Sequence, residues 1–329
     1  MRNKSILFII SVLILALLVS CRNSIIDEPQ YEDPDEQALP VAMQPDTLRL
    51  LAIGNSFTID ALTFLPYILQ RISPQSYVVV GILYTGGAAM SYHLVSFTNN
   101  TAYQTYFKWT PEMGIWYKES ITLPLFALAD ERWDYVTLQQ VSAHSNDYVT
   151  ILPYLQPLVD ILLNNGYTGH LGWLLTPAYP DGSPRLTNGT MKVDGASVTY
   201  TSDEMFAAIA ACTQQVMNSG CCDFVLPCGT ALQNARHTSL RQYGAWGQLT
   251  SDGMHLQSGI PMYVESCAAA MVLLNTAFDK CHLDIQLGQY QIMSRGTQVG
   301  MSNDNQDLAV TCAAQAFLNP FTLKVDSSH

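Results

Sequence analysis

The chain has 329 residues, with 15 Lys plus Arg against 27 Asp plus Glu and a net charge of −12. An acidic chain without a basic cluster argues against nucleic acid as a partner. A charged fraction of 13% and 17 tyrosines suit an uncharged ligand such as carbohydrate, and 48% hydrophobic residues suffice for a sizeable core.

The first residues, Met1-Arg-Asn-Lys4, precede an apolar run of about 15 residues, which reads as a secretory signal and not as a spanning helix. The run ends in Leu18-Val-Ser-Cys21, which resembles a bacterial lipobox. The resemblance implies that Cys21 is acylated and becomes the mature N-terminus, giving an exported lipoprotein on the periplasmic or cell-surface face of the outer membrane. The competing readings are an ordinary signal peptide with an incidental cysteine and an uncleaved anchor helix. Each leaves the rest of the chain outside the cytoplasm. Residues 22–47 carry Asp27, Glu28, Glu32, Asp33, Asp35 and Glu36 around Pro29 and Pro34. With few apolar groups to offset ordering entropy, they read as an acidic flexible tether. It resembles the acidic leader of some surface-exported lipoproteins of the Bacteroides group.

Residues 48–329 are then one α/β domain. Near-continuous apolar runs predict strands over Leu48–Ile53, Tyr77–Leu83, Tyr135–Gln140, His170–Leu175 and Asp223–Leu226. Helical patterns follow at Ile59–Arg71, Ala88–Ser96, Ile151–Asn164, Asp203–Asn218 and Gly259–Ala277. This alternation predicts a three-layer α/β/α, flavodoxin-like fold around a mostly parallel five-stranded sheet. Two segments interrupt it: an aromatic insertion over residues 99–122 and a loop from Tyr179 to Tyr200 rich in Gly, Pro, Ser and Thr. In an open parallel sheet, sites form outside the carboxyl ends of the strands. Ser56, Gly86-Gly87 and Gln139-Gln140 each follow a predicted strand at that edge.

Ser56 sits in Gly54-Asn-Ser-Phe57, a tight turn between a strand and a helix, where a serine is exposed near a positive helix N-terminus. The alternative is a plain N-cap serine. Late in the chain, Asp252-Gly-Met-His255 places a carboxylate three residues before an imidazole. The carboxylate can hold one ring nitrogen and leave the other for the serine; the alternative is a turn Asp and a surface His. Together the two segments supply nucleophile, base and orienting acid for acyl transfer.

These segments resemble the SGNH/GDSL hydrolase superfamily, in its divergent Gly-Asn-Ser-Phe group similar to DUF4886. The first block is Gly54-Asn-Ser-Phe57, and the last, Asp252-Gly-Met-His255, lies about 200 residues downstream. The resemblance implies Ser56, His255 and Asp252 as a catalytic triad. Ser56 and either Gly86 or Gly87 would supply oxyanion N–H groups, as in the family's second block. The family's third block, Gly-x-Asn-Asp, is missing; the text reads Gln139-Gln140-Val-Ser142-Ala-His-Ser-Asn146. Gln140 is the expected amide donor, with Gln139, Ser142 and Asn146 as alternatives. Asn55, Gln139 and Asn234 are expected at the substrate, the last within Gln233-Asn234-Ala-Arg236. His144 and His237 read as polar-loop residues.

The expected activity is serine esterase chemistry on a short-chain acyl ester, possibly acetyl on carbohydrate, with no cofactor and no metal. The expected partners are an acylated small molecule or glycan and, through the lipid on Cys21 alone, a membrane. The irregular third block motivates an alternative, a non-catalytic glycan-binding lipoprotein on a degenerate esterase fold. Seven cysteines remain beside Cys21: Cys212, Cys221, Cys222, Cys228, Cys267, Cys281 and Cys312. Without a Cys-x-x-Cys pair they read as buried thiols or one or two disulfides.

Overall fold

The computed structural model describes residues 46–284 and 292–324. The signal peptide, Cys21 and nearly all of the tether lie outside the described residues.

Strand β1 (Thr47–Gly54) leads into α1 (Ser56–Leu62) and α2 (Leu65–Ile72). The expected single helix is two because Pro66 lacks the amide that would continue the ladder. Next come β2 (Tyr77–Tyr84), α3 (Met90–Asn99), β3 (Tyr103–Trp109), β4 (Tyr117–Thr122) and α4 (Pro124–Ala129). The central elements are β5 (Tyr135–Leu138), α5 (Leu152–Asn164) and β6 (His170–Leu174). A small hairpin, β7 (Lys192–Val193) with β8 (Ala196–Ser197), lies within the long loop and precedes α6 (Ser202–Asn218). The chain ends in β9 (Phe224–Leu226), α7 (Cys228–Arg236), α8 (Ile260–Leu274) and α9 (Asn303–Leu318).

The main sheet runs β4-β3-β2-β1-β5-β6-β9. Its five expected strands are all parallel. Taken in chain order among themselves they are arranged 2-1-3-4-5, the flavodoxin-like order. The aromatic insertion adds two more: β3 and β4 extend the β2 edge antiparallel. Tyr103, Tyr106, Phe107 and Trp109 are buried there as core, and the Trp116 indole donates to the Thr63 carbonyl at 3.0 Å. The insertion therefore extends the sheet and contributes these aromatics to the core.

Alternate residues of each strand feed opposite layers. Leu48, Leu50 and Ala52 of β1 pack with α1, α2, α7, α8 and α9; Leu51 and Ile53 pack with α3, α4 and α5. Helix α8 is buried along almost its whole circumference, because α9 covers the side away from the sheet. The α9 contribution rests on small residues, Ala309, Val310, Cys312, Ala313 and Ala316, which make a faint pattern. All seven cysteines of the described residues are free, buried thiols.

His93 of α3 is buried between the layers. Its Nδ1 lies 2.7 Å from the Tyr103 hydroxyl, and the two rings stack. Burial pushes its pKa down to about 3. The unfolded chain takes up a proton at an ordinary histidine value near 6.5 that the folded chain refuses, so protonation favours unfolding. Stability should fall as pH drops from about 6.5 toward 3. In urea titrations across that window, His93→Asn should start from a lower baseline and show a shallower fall with pH than the unsubstituted protein.

Candidate active site

The loops after β1, β2 and β5 converge at the carboxyl edge of the sheet, where β1 stands between β2 and β5. At the first loop Gly54 ends β1. A Cβ there would lie 2.1 Å from Thr58 Oγ1, so only glycine admits the turn. Asn55 caps α1: its Oδ1 accepts the Phe57 N–H at 3.1 Å. Its Nδ2 donates to the Ala88 carbonyl at 3.0 Å, tying the first loop to the second. Asn55 lines the cleft and positions Ser56 through these two backbone bonds.

Ser56 Oγ lies 3.0 Å from His255 Nε2, and His255 Nδ1 lies 2.8 Å from Asp252 Oδ2. Residues 199 apart in sequence thus form one hydrogen-bonded chain. The Asp252 Oδ1 atom accepts the backbone N–H groups of Met254 at 2.9 Å and His255 at 2.7 Å, which folds the loop around the carboxylate. Burial alone would raise the Asp252 carboxyl, but the bonds from His255 and Met254 outweigh it and hold the group below its ordinary value. It is therefore an anion at neutral pH, facing the imidazole.

Two residues that the sequence reading missed fix this loop. Asp60, one helical turn beyond Ser56 and fully buried, accepts the Leu256 N–H at 3.1 Å and the Arg295 Nε–H at 3.0 Å. Burial raises the Asp60 pKa, and the Arg295 charge opposes the rise. A lone acid inside the apolar run Phe57–Phe64 was the available signal for Asp60; Arg295 left none. Arg236, in the segment Gln233-Asn234-Ala-Arg236 that the sequence placed near the substrate, is buried. It donates from Nη1 to the Ala178 carbonyl at 2.8 Å and from Nε to the Gln248 carbonyl at 3.3 Å, joining the two long loops beside the cleft.

The oxyanion candidates sort themselves by their partners. Gly86 donates its N–H to Gln104 Oε1 at 3.1 Å, whereas Gly87 sits at φ +65° and shows no hydrogen bond from its N–H among the described residues. Gln140 is a correction. Its Nε2 donates to the Thr150 carbonyl at 2.9 Å, and its Oε1 accepts the N–H groups of Met90 at 3.0 Å and Val141 at 2.8 Å. The side chain is buried with its amide spent on three backbone segments, so it cannot face an oxyanion. Gln139, also buried, accepts from Thr58 under the first turn. Asn146 donates to the Lys192 carbonyl at 2.9 Å. Asn234 donates to the Cys312 carbonyl at 3.2 Å and accepts the Lys324 N–H at 3.0 Å, which anchors the C-terminal segment away from the cleft. Neither Gln139 nor Asn234 is placed to touch a substrate.

Ser142 does reach the cleft. Its hydroxyl lies 2.8 Å from that of Tyr179. The cleft has a volume of about 420 Å³ and is walled by Ser56, His255, Gly87, Ser142, Tyr84, Tyr179 and two arginines, Arg185 and Arg295. His144 and His237 do not line it, and His237 pairs with Asp203 at 3.0 Å.

A structural role for Gln140 predicts that Gln140→Leu loses about 1–3 kcal/mol of stability through orphaned backbone groups. Urea unfolding measures this; an unchanged midpoint would contradict it.

The family model for DUF4886, described as a domain of unknown function, matches residues 49–299, a span that includes both Ser56 and His255. The crystal structure of a DUF4886 family protein from Bacteroides uniformis ATCC 8492 is similar, with a TM-score of 0.69 and 24% identity, over 85% of this chain and 98% of that one. A crystal structure of TesA has a TM-score of 0.37 and 12% identity, over 69% of this chain and 94% of that one. No curated protein matches the chain. With the family model covering most of its length, the chain belongs to the DUF4886 family.

Proposed function

We propose that this protein is a serine hydrolase of the SGNH type acting on carboxylic esters. The observation that carries the reading is the unbroken chain from Ser56 Oγ through the His255 imidazole to the Asp252 carboxylate.

In the proposed mechanism Ser56 Oγ attacks the ester carbonyl carbon while His255 Nε2 takes its proton. Asp252 keeps the Nδ1 proton in place and stabilises the imidazolium that forms. The carbonyl oxygen becomes an oxyanion held by the N–H groups of Ser56 and Gly87. The Ser142–Tyr179 pair suggests a third donor: two hydroxyls share one proton between them, which leaves the other proton free to turn into the cleft. Collapse of the tetrahedral intermediate expels the alcohol, protonated by His255. Water, deprotonated by His255, then releases the acid and restores Ser56.

The resemblance of the two end blocks points to a short acyl group such as acetate on a carbohydrate. The non-catalytic reading was motivated by the missing third block. The complete triad geometry and a hydroxyl pair at that position favour the enzyme. Turnover of p-nitrophenyl acetate should exceed that of the butyrate ester, and Ser56→Ala and His255→Gln should each lower it by about 10,000-fold or more. Equal rates in the unsubstituted and Ser56→Ala proteins would refute the proposal.

We also propose anchoring through a lipid on Cys21. Its basis is the Leu18-Val-Ser-Cys21 sequence alone; no helix of the described residues is long and apolar enough to cross a membrane. Full-length protein should fractionate with membranes and Cys21→Ala should be released. Membrane retention of Cys21→Ala would contradict the lipid.

A further inference from the structure

Composition suits an uncharged ligand, yet two of the chain's 15 Lys and Arg stand in the wall of one cleft. Arg185 lies on the turn Pro184–Leu186, which is held to the core by buried Leu186. Its guanidinium rests 5.8 Å from the centre of the Tyr179 ring, within cation–π range. The group is exposed, and no carboxylate of the described residues lies within ion-pair distance of it. Its guanidinium donates to the Tyr179 hydroxyl, and an arginine held so on an aromatic residue beside a reactive serine, with N–H groups to spare and no carboxylate neutralising it, is arranged to receive an anion.

Arg295 adds to this. Asp60 engages its Nε, and one terminal nitrogen is buried without an acceptor. Its side chain borders both the Ser56 cleft and an adjoining hollow of about 740 Å³, which Tyr243, Asp252 and Gln257 also line. The room around Ser56 and Arg295 thus exceeds what a small acyl group fills. The other carboxylates of the site are already occupied, Asp60 by Arg295 and Leu256, and Asp252 by His255. Among the described residues no carboxylate pairs with Arg185, whose neighbour is the neutral Tyr179, and its positive charge is presented locally in a chain whose net charge of −12 would otherwise repel an anion.

We infer that the alcohol part of the substrate carries an anionic group, a carboxylate or sulfate of an acidic sugar, which docks on Arg185 with Arg295 as supporting charge. This rests on the hydrolase reading for its placement beside Ser56. It narrows the substrate class from acylated carbohydrate to acylated acidic carbohydrate.

The test uses full-length Ser56→Ala protein, which cannot turn over substrate. It is titrated calorimetrically with oligogalacturonate, with a sulfated oligosaccharide and with a neutral xylo-oligosaccharide of equal length. At least one acidic ligand should bind about 10-fold or more tighter than the neutral one, the worth of one charge-assisted contact, and Arg185→Gln in the same background should remove that preference. The acidic ligand that binds identifies carboxylate or sulfate. Equal binding of all three, no binding of either acidic ligand, or a preference that survives Arg185→Gln would overturn the inference. Aryl-ester turnover by the unsubstituted protein is scored separately. Its absence sinks the hydrolase reading, while the titration still decides whether Arg185 marks an anion site.

Discussion

The Asp60 carboxylate bonded to the Leu256 N–H is the contact on which the site depends. Asp60 lies one turn along α1 from Ser56, and Leu256 directly follows His255, so one buried hydrogen bond joins the helix carrying Ser56 to the loop carrying His255. A carboxylate with no exposure is costly to bury. Here the backbone amide and the Arg295 guanidinium offset part of that cost, and Arg295 comes from a third segment of the chain. The same acid thus gathers three distant stretches around the cleft. The Ser56–His255 distance of 3.0 Å is the result.

The sheet determines which loops can meet there. With β1 between β2 and β5, the turns after all three strands open on one edge. Asn55 and Gln140 then use their amides as braces. Asn55 ties the first loop to the second through Ala88; Gln140 ties the start of α3 to the segment before α5. Both polar side chains are buried and satisfied by backbone, which gives rigidity. Arg236 does the same for the two long loops on the other side. Among the described residues the wall still offers the Ser56 hydroxyl, the Gly87 N–H, one proton of the Ser142–Tyr179 pair and the remaining N–H groups of Arg185 and Arg295.

Much of this was readable beforehand because its signals are local. Five apolar runs marked the five parallel strands to within two residues at either end, since parallel strands bury both faces. The contact of Ser56, His255 and Asp252 was readable from two short blocks, since a strand-to-helix turn and an Asp three residues before a His each define their geometry nearby. Side-chain amides were not readable. Whether Gln140, Asn234 or Asn55 faces a ligand or a carbonyl depends on what the fold places opposite, and all three face backbone. Gly86 and Gly87 were indistinguishable until Gln104 of β3 was seen to take the first N–H. That the aromatic insertion adds two strands to the sheet was not readable either, because aromatic density alone does not tell a platform from a core. Helix α9 escaped because alanine and cysteine make a weak stripe.

The central claim is that Ser56 is a nucleophile activated by His255. The most direct measurement exposes the protein to a fluorophosphonate and locates the adduct by peptide mass spectrometry. The account predicts a single covalent phosphonyl group on Ser56, formed rapidly and lost when His255 is replaced by glutamine. No adduct, an adduct on another residue, or labelling of Ser56 that is indifferent to His255 would contradict it.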